Sequence, residues 1–278
     1  MLVNEAVNNY MQYHEANSRP NTVRGFGFTL LRFADDFRGC DIRAVSENDV
    51  LSFLTKISSG KKQATKSSRA SMLRAFYNFT ADTAVPGLSN PCCRPMIRKI
   101  FRRPRMAPPR LVDKDLVDEI IYRTTDERSR LMMELMGRAG MRVGEVLGVR
   151  PDDIDDGKIT IRRPKSGRLG EAVFIPKKLE RRLMDYVRSC GIAGRSKIFD
   201  ISYTTARRIV CRAGDVVGVK LRPHDLRRHA ATQASRSGMP LEMVSKVILR
   251  HADLATTQRY LGEVNDMEAS RWIEHLLG

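Results

Sequence analysis

Several things are scarce in this sequence, and each shortage removes a class of protein. It has five cysteines, an odd number, and no pair at CxxC spacing. That pattern fits neither a disulfide framework nor a zinc site. Cys40, Cys92, Cys93, Cys190 and Cys211 are therefore expected to be ordinary reduced thiols, and neither a metal nor a cofactor is expected. No apolar run approaches the roughly 18 residues of a membrane span. The first twenty residues lack the charged-then-apolar layout of a signal peptide, and no lipidation motif is present. The expectation is a cytoplasmic protein without a membrane partner. Acidic residues are short as well: 32 Asp and Glu stand against 49 Lys and Arg, giving a net charge of +17 and a pI near 10.1. Such an excess calls for a polyanionic partner. Nucleic acid fits better than lipid, because no predicted helix pairs a Lys/Arg face with an exposed apolar one. Both halves of the chain carry the excess, as expected if both touch one duplex.

What is present reads as mainly helical, with one small β-hairpin, in two domains; 278 residues suffice for two modest cores. Residues 1–93 are expected to be a helical, DNA-clamping domain. Helices are expected over 3–15, over 21–37 with Asn21 as cap, over 47–57 opened by Ser46 and Asp49, and over 67–83. The last would bury a stripe of Met72, Ala75, Phe76 and Phe79, with Lys61, Lys62 and Lys66 just before it as candidate phosphate contacts. Residues 94–110 hold seven basic residues, four prolines and no acid, and are assigned as a linker lying against DNA, with Arg102, Arg103 and Arg105 as candidate contacts. Residues 111–278 form the second domain. Alternating runs at 158–163 and 171–176 around a Gly-containing turn predict the hairpin. Helices are expected at 113–123, 126–137, 178–189, 202–216, 224–237, 240–249 and 265–277.

The densest chemistry lies in residues 221–261, which hold three of the five histidines. His224 and Arg227 are three apart, so on a helix they share a face. A guanidinium fork beside an imidazole suits an anion rich in acceptors, and phosphate is the obvious candidate. His251 follows, and Tyr260 comes nine residues later. A tyrosine there can serve as a nucleophile, although taken singly each of these residues has an ordinary structural reading.

The ordered set, His224-Asp225-Leu226-Arg227-Arg228-His229, then Leu249-Arg250-His251, then Thr256-Thr257 and Tyr260, resembles the catalytic box of the tyrosine recombinases, the phage integrase family. Gly140-Met141-Arg142-Val143-Gly144-Glu145 resembles that family's first arginine box. The resemblance implies a helical core-binding domain followed by a mixed α/β catalytic domain. It also implies a site-specific recombinase that cuts and rejoins double-stranded DNA through a 3′-phosphotyrosyl link, without a metal. Arg142 and Arg227 would clamp the phosphate, with Glu145 supporting Arg142. Lys165, at the hairpin turn, would protonate the leaving 5′-oxygen, although Lys158, Arg163 and Arg168 stand nearby. His224 and His251 would assist, and Tyr260 would attack. The implied assembly is a homo-oligomer, a dimer on one site and a tetramer in the synapse, with the 265–277 helix docking in cis or in trans. Arg250 departs from the pattern, which has glycine before the last histidine. The expectation is either an added phosphate contact from Arg250 or a slightly displaced His251.

Three rivals remain at this stage. Asp152, Asp153, Asp155 and Asp156 form an acidic cluster that a metal-dependent nuclease would use, although no partner carboxylate stands out and a solvated loop is the simpler reading. Residues 240–261 have the outline of a helix-turn-helix, as in a non-catalytic DNA-binding protein, but such a module explains neither Arg142 nor Lys165. A type IB topoisomerase would share the tyrosine chemistry and act as a monomer on one site.

Overall fold

The computed structural model describes residues 1–104, 111–162, 164, 170–251, 253–261 and 274, with the backbone alone at Arg259 and Tyr260. Arg105, the rest of the basic linker, Lys165 with its turn, and the expected 265–277 helix fall outside the described residues. The chain divides into two compact units, Met1–Met106 and Ala107–Gly278. Among the described residues, no helix is long and apolar enough to cross a membrane.

The first unit is five helices: α1 (Val3–Asn17), α2 (Pro20–Asp36), α3 (Glu47–Ile57), α4 (Gln63–Thr83) and α5 (Pro95–Ile100). Ser46 caps α3 as expected: its hydroxyl accepts from the Asp49 N–H at 3.2 Å, and the Ser46 N–H donates to the Asp49 carboxylate at 2.9 Å. Other boundaries differ from expectation. Pro20, with its φ preset for a first turn, opens α2, so Asn21 is inside the helix and not its cap. Helix α4 starts at Gln63, so Lys66 lies within it. Its inner stripe is Ala70, Leu73, Phe76, Tyr77 and Thr80, one face over from the stripe that Met72, Ala75 and Phe79 suggested. Residues 94–101 are not extended linker. Pro95 starts α5, and Ile97 and Phe101 are buried in the same core as Val7, Leu30, Phe33, Leu54 and Leu73.

The second unit is built around α7 (Glu127–Gly137), whose Leu131, Met132, Met133, Leu135 and Met136 are all fully buried. A helix that is apolar nearly all round must be covered on every side. The covering comes from α6 (Lys114–Arg123), α8 (Val143–Val146), α9 (Lys177–Ser189), α10 (Tyr203–Asp215) and α11 (Pro223–Arg236). The one carboxylate on the inner part of α7, Glu134, is matched by Arg182, which donates to both of its oxygens at 2.8 Å. Further on come α12 (Leu241–Met243), a π-helix over Val244–Leu249, and α13 (Leu254–Leu261). The 240–249 helix expected from sequence is therefore α-helical only in its first turn.

The predicted hairpin is present as β2 (Lys158–Thr160) and β3 (Ala172–Phe174), and a third strand, β1 (Ile154–Asp155), joins them in the antiparallel order β1-β2-β3. Ile159 faces Ile154 on one side and Val173 on the other. The β1–β2 turn is Asp156-Gly157, with φ of 42° and 78°. Both values are positive, as the tight two-residue hairpin turn demands, which is why Asp-Gly sits there. Within the acidic cluster, Asp156 is placed by the turn and pairs with Lys177, and Asp153 is buried and pairs with Arg162.

Close packing gives one direct test of this unit. A Cβ on Gly214 of α10 would stand 2.4 Å from the Val219 carbonyl oxygen and 2.5 Å from Leu221 Cβ. Gly214→Ala should destabilise the protein by about 1–3 kcal/mol in urea denaturation. Gly144→Ala, whose added methyl meets nothing within 4 Å, should be neutral or stabilising by a few tenths of a kcal/mol.

Candidate active site

The π-helix ends at Arg250, whose backbone is left-handed at φ 48° and ψ 50°. The His251 N–H then reaches back to Ser245 O at 3.0 Å, closing the helix end. The last carbonyls of a helix lack helical partners and carry the negative end of its dipole. Leu249 O is one of them, and two guanidiniums converge on it: Arg227 through Nη2, and Arg142 through Nη2 at 3.4 Å. Arg227 Nη1 also donates to Gly140 O. Gly140 has φ 64°, and a Cβ there would lie 2.7 Å from Ile248 Cγ2 and 3.0 Å from Ile248 O. Glycine is what lets the loop before Arg142 approach this closely.

The two arginines are held differently. Arg227, on the first turns of α11, is only 2% exposed. Arg142 precedes α8, and its side chain keeps 26% exposure. Its Nη1 donates to Glu145 Oε1 at 2.6 Å, and its backbone N–H to Glu145 Oε2 at 2.8 Å. Burial alone would raise the Glu145 carboxyl, but Arg250 and the bonds from Arg142 more than offset it and hold it below the usual carboxylate range. Arg250 keeps the left-handed turn that glycine would favour, and its side chain is turned inward, 3% exposed, donating to Glu145 Oε2 at 2.6 Å. The expected phosphate contact from Arg250 is therefore replaced by an internal ion pair.

His251 Nδ1 lies 3.0 Å from Thr257 Oγ1, which in turn donates to Ser245 Oγ at 2.9 Å. A hydroxyl has one proton. Because Thr257 gives its proton to Ser245, its oxygen accepts from His251 Nδ1–H, and Nε2 is the basic nitrogen of the neutral ring. The ring is pushed down to about 4 by burial first, then by Arg227, Arg142, His224 and Arg250, whose charges all reach it. His224 is exposed, yet its ring is partly desolvated; desolvation, then Arg228 and Arg227, lower it from its ordinary value against the opposing charge of Asp225. His229 is buried with Nδ1 3.1 Å from Val112 O, a structural role.

The backbone of Tyr260 lies in α13, which packs on α11, α12 and the π-helix. Thr257 is fully buried, and Leu261 joins Ala231, Val244 and Leu249 in a small core of their own. Arg142, His224, Arg227, His251 and the helix of Tyr260 thus gather around one helix end, whereas Lys165 lies outside the described residues. In the first unit, Lys61, Lys62, Arg102 and Arg103 are exposed and Lys66 is half-buried. Gln63 Nε2 donates to the carbonyls of Ile100 and Arg102 at 2.8 and 3.0 Å, bringing the two basic segments side by side. Sequence reasoning missed Ser245 and the inward course of Arg250. The signal for the latter was a long cation set between Leu249 and His251.

The phage integrase family model matches residues 112–266, and the model of the phage integrase N-terminal SAM-like domain matches residues 7–83. The chain belongs to the phage integrase family. A tyrosine recombinase of Pseudothermotoga lettingae is 30% identical to this integrase-family chain over 256 residues, covering 85% of it and 84% of the relative. The tyrosine recombinase XerA of Saccharolobus solfataricus is 29% identical over 244 residues, covering 86% and 81%. Among solved structures, a lambda integrase dimer bound to a COC′ core site has the same fold, with a TM-score of 0.74 at 17% identity over 96% of this chain and 97% of that one.

The histidine environment of this integrase-family site predicts a pH effect. A histidine whose folded value is depressed binds fewer protons than the unfolded chain below the ordinary value of about 6.5, so stability is lost as the pH drops through that window. In the DNA-free protein, the His251 ring should stay neutral until about pH 4 in an NMR titration. His251→Gln should reduce the loss of stability between about pH 6.5 and that point. A ring titrating near its ordinary value would contradict the geometry.

Proposed function

We propose that this chain is a site-specific DNA recombinase that cuts and rejoins strands through a phosphotyrosyl intermediate. The observation that carries the reading is the convergence of Arg142, Arg227, His224 and His251 on the helix end that also seats the helix of Tyr260, in a member of the phage integrase family. Phosphoryl transfer depends mostly on positioning and charge stabilisation. Arg142 and Arg227 neutralise the non-bridging oxygens of the scissile phosphate. A guanidinium has five N–H donors, so one group can be anchored by carbonyls and still serve an anion.

The phenol of Tyr260 has an ordinary pKa of about 10 and is a poor nucleophile unless its proton is accepted. His251 Nε2, with His224 nearby, takes that role as the phenolic oxygen forms its bond to phosphorus. The bond from phosphorus to the 5′-oxygen breaks, and the Lys165 ammonium supplies the proton that makes the 5′-hydroxyl. The 3′-phosphotyrosyl bond keeps the energy of the cut bond, so attack by a 5′-hydroxyl from another strand reverses the steps. Nothing in this sequence of steps calls for a metal.

Exchange between two duplexes breaks four strands and needs four tyrosines, hence a dimer on each site and a tetramer in the synapse. Lambda integrase, which has this fold, was solved as a dimer bound to a COC′ core site, which supports the first step of that assembly. The first unit, with Lys61, Lys62, Lys66, Arg102, Arg103 and Arg105, clamps the duplex backbone. A type IB topoisomerase would share the cleavage chemistry, but both integrase-family matches favour strand exchange.

The test is trapping on a nicked suicide duplex carrying the native site, with EDTA present. The wild-type chain should form a covalent protein–DNA band, and Tyr260→Phe should bind the duplex without forming one. Arg142→Ala should slow adduct formation by about 100-fold to 1,000-fold, as loss of a preorganised charge does. A band that persists in Tyr260→Phe would move the nucleophile elsewhere, and cleavage that requires added Mg²⁺ would sink the tyrosine mechanism. Removing residues 265–278 should weaken two-site complexes on native gels more than it slows trapping; equal losses would assign that segment to folding alone.

A further inference from the structure

Arg250 combines two costs at one position. A large side chain sits in left-handed backbone, which is sterically unfavourable, and a guanidinium is withdrawn from water, which is unfavourable unless its charge is matched. Its contacts explain the placement. Nη2 donates to Glu145 Oε2 at 2.6 Å, Nη1 to Ile248 O at 3.0 Å, and Nε stands 3.9 Å from Glu171 Oε2. Glu145 is thus gripped between two guanidiniums, Arg142 on Oε1 and Arg250 on Oε2. Glu171 lies just before β3, so the same side chain ties the hairpin to the helix end beside His251.

This arrangement sets both the aim and the charge of Arg142. The plane of the Glu145 carboxylate fixes where the Arg142 guanidinium points, and Arg250 fixes that plane. Arg142 and Arg250 together balance Glu145, and Arg250 also faces Glu171. Without Arg250, the buried Glu145 carboxylate would rely on Arg142 alone and compete with a bound phosphate for it. We propose that Arg250 is a positioning residue, which orients Glu145 and offsets its charge so that Arg142 can act on the scissile phosphate. The proposal rests on the recombinase reading above.

The test compares wild type, Arg250→Gly and Arg250→Lys on two suicide duplexes, one with the normal phosphodiester and one with a neutral methylphosphonate at the scissile position. Glycine suits the left-handed backbone, so Arg250→Gly removes the guanidinium without straining the turn. Arg250→Gly should bind the duplex within about twofold of wild type. It should slow adduct formation on the phosphodiester by about tenfold to 100-fold, as misplacing a catalytic group does. On the methylphosphonate, which carries no charge for Arg142 to neutralise, the slowing should be under about threefold. Added guanidinium ion, well below denaturing levels, should restore part of the phosphodiester rate, and ammonium at equal ionic strength should not. Equal slowing on both duplexes would make Arg250 a structural residue and overturn the proposal, as would wild-type rates in Arg250→Gly. If Arg250→Gly loses its circular dichroism signal, Arg250→Lys decides by the same contrast between duplexes, and equal slowing there overturns it. Failure of the wild type itself to form an adduct on either duplex would overturn the recombinase reading, and the proposal with it.

Discussion

Everything at the candidate site hangs on one backbone carbonyl, that of Leu249. Its helix ends there, so the oxygen has no helical donor and carries the negative end of the dipole. Arg227 and Arg142 arrive from segments far apart in the chain and both donate to it. Gly140 must be glycine for the Arg142 loop to come close enough, and the left-handed backbone of Arg250 must turn the chain away so that His251 reaches Ser245. A helix terminus that would otherwise need water or a cap is satisfied by guanidiniums, and those guanidiniums are thereby gathered in one place.

Gathering them is electrostatically unfavourable. Three arginines and two histidines share a small region, and the depressed value of His251 records the mutual repulsion together with burial. The fold opposes that repulsion with carbonyl dipoles and with Glu145 and Glu171. The imidazoles give up their protons, and the arginines cannot. The outcome is a preorganised positive site in which a phosphate diester would relieve repulsion on binding.

Much of this was legible in the sequence, and what was hidden was hidden for physical reasons. His224 and Arg227 could be placed together because helical spacing alone puts them on one face, whereas Arg142 joined them only through the resemblance of its box to that of the integrase family. Leu249 could not be foreseen as the hub, since every residue has a carbonyl and only the tertiary fold selects one. The inward course of Arg250 depended on Glu145, more than a hundred residues away. In α4 the large side chains of Met72 and Phe79 drew the stripe one face too far, while the smaller Ala70 and Thr80 are inside. Pro95 in sequence reads as a mark of extended chain, yet at a first helical position it starts a helix. The Asp156-Gly157 turn carries a clear hairpin signal, but among four aspartates it reads as a solvated loop.

The separations along the chain have a consequence for how the protein comes into being. The β1–β2–β3 sheet joins neighbours, and its first turn spans two residues. The contacts of the site span 87 residues from Arg227 to Gly140, 105 from Arg250 to Glu145 and 107 from Arg142 to Leu249. Closing such loops costs chain entropy before any contact repays it, so local elements form first and the site closes late. During synthesis, Arg142 emerges long before the carbonyl that holds it. A nascent or partly folded chain therefore carries the cations of the site without the contacts that gather them. The gathered cation site is thus a property only of chains that have finished folding.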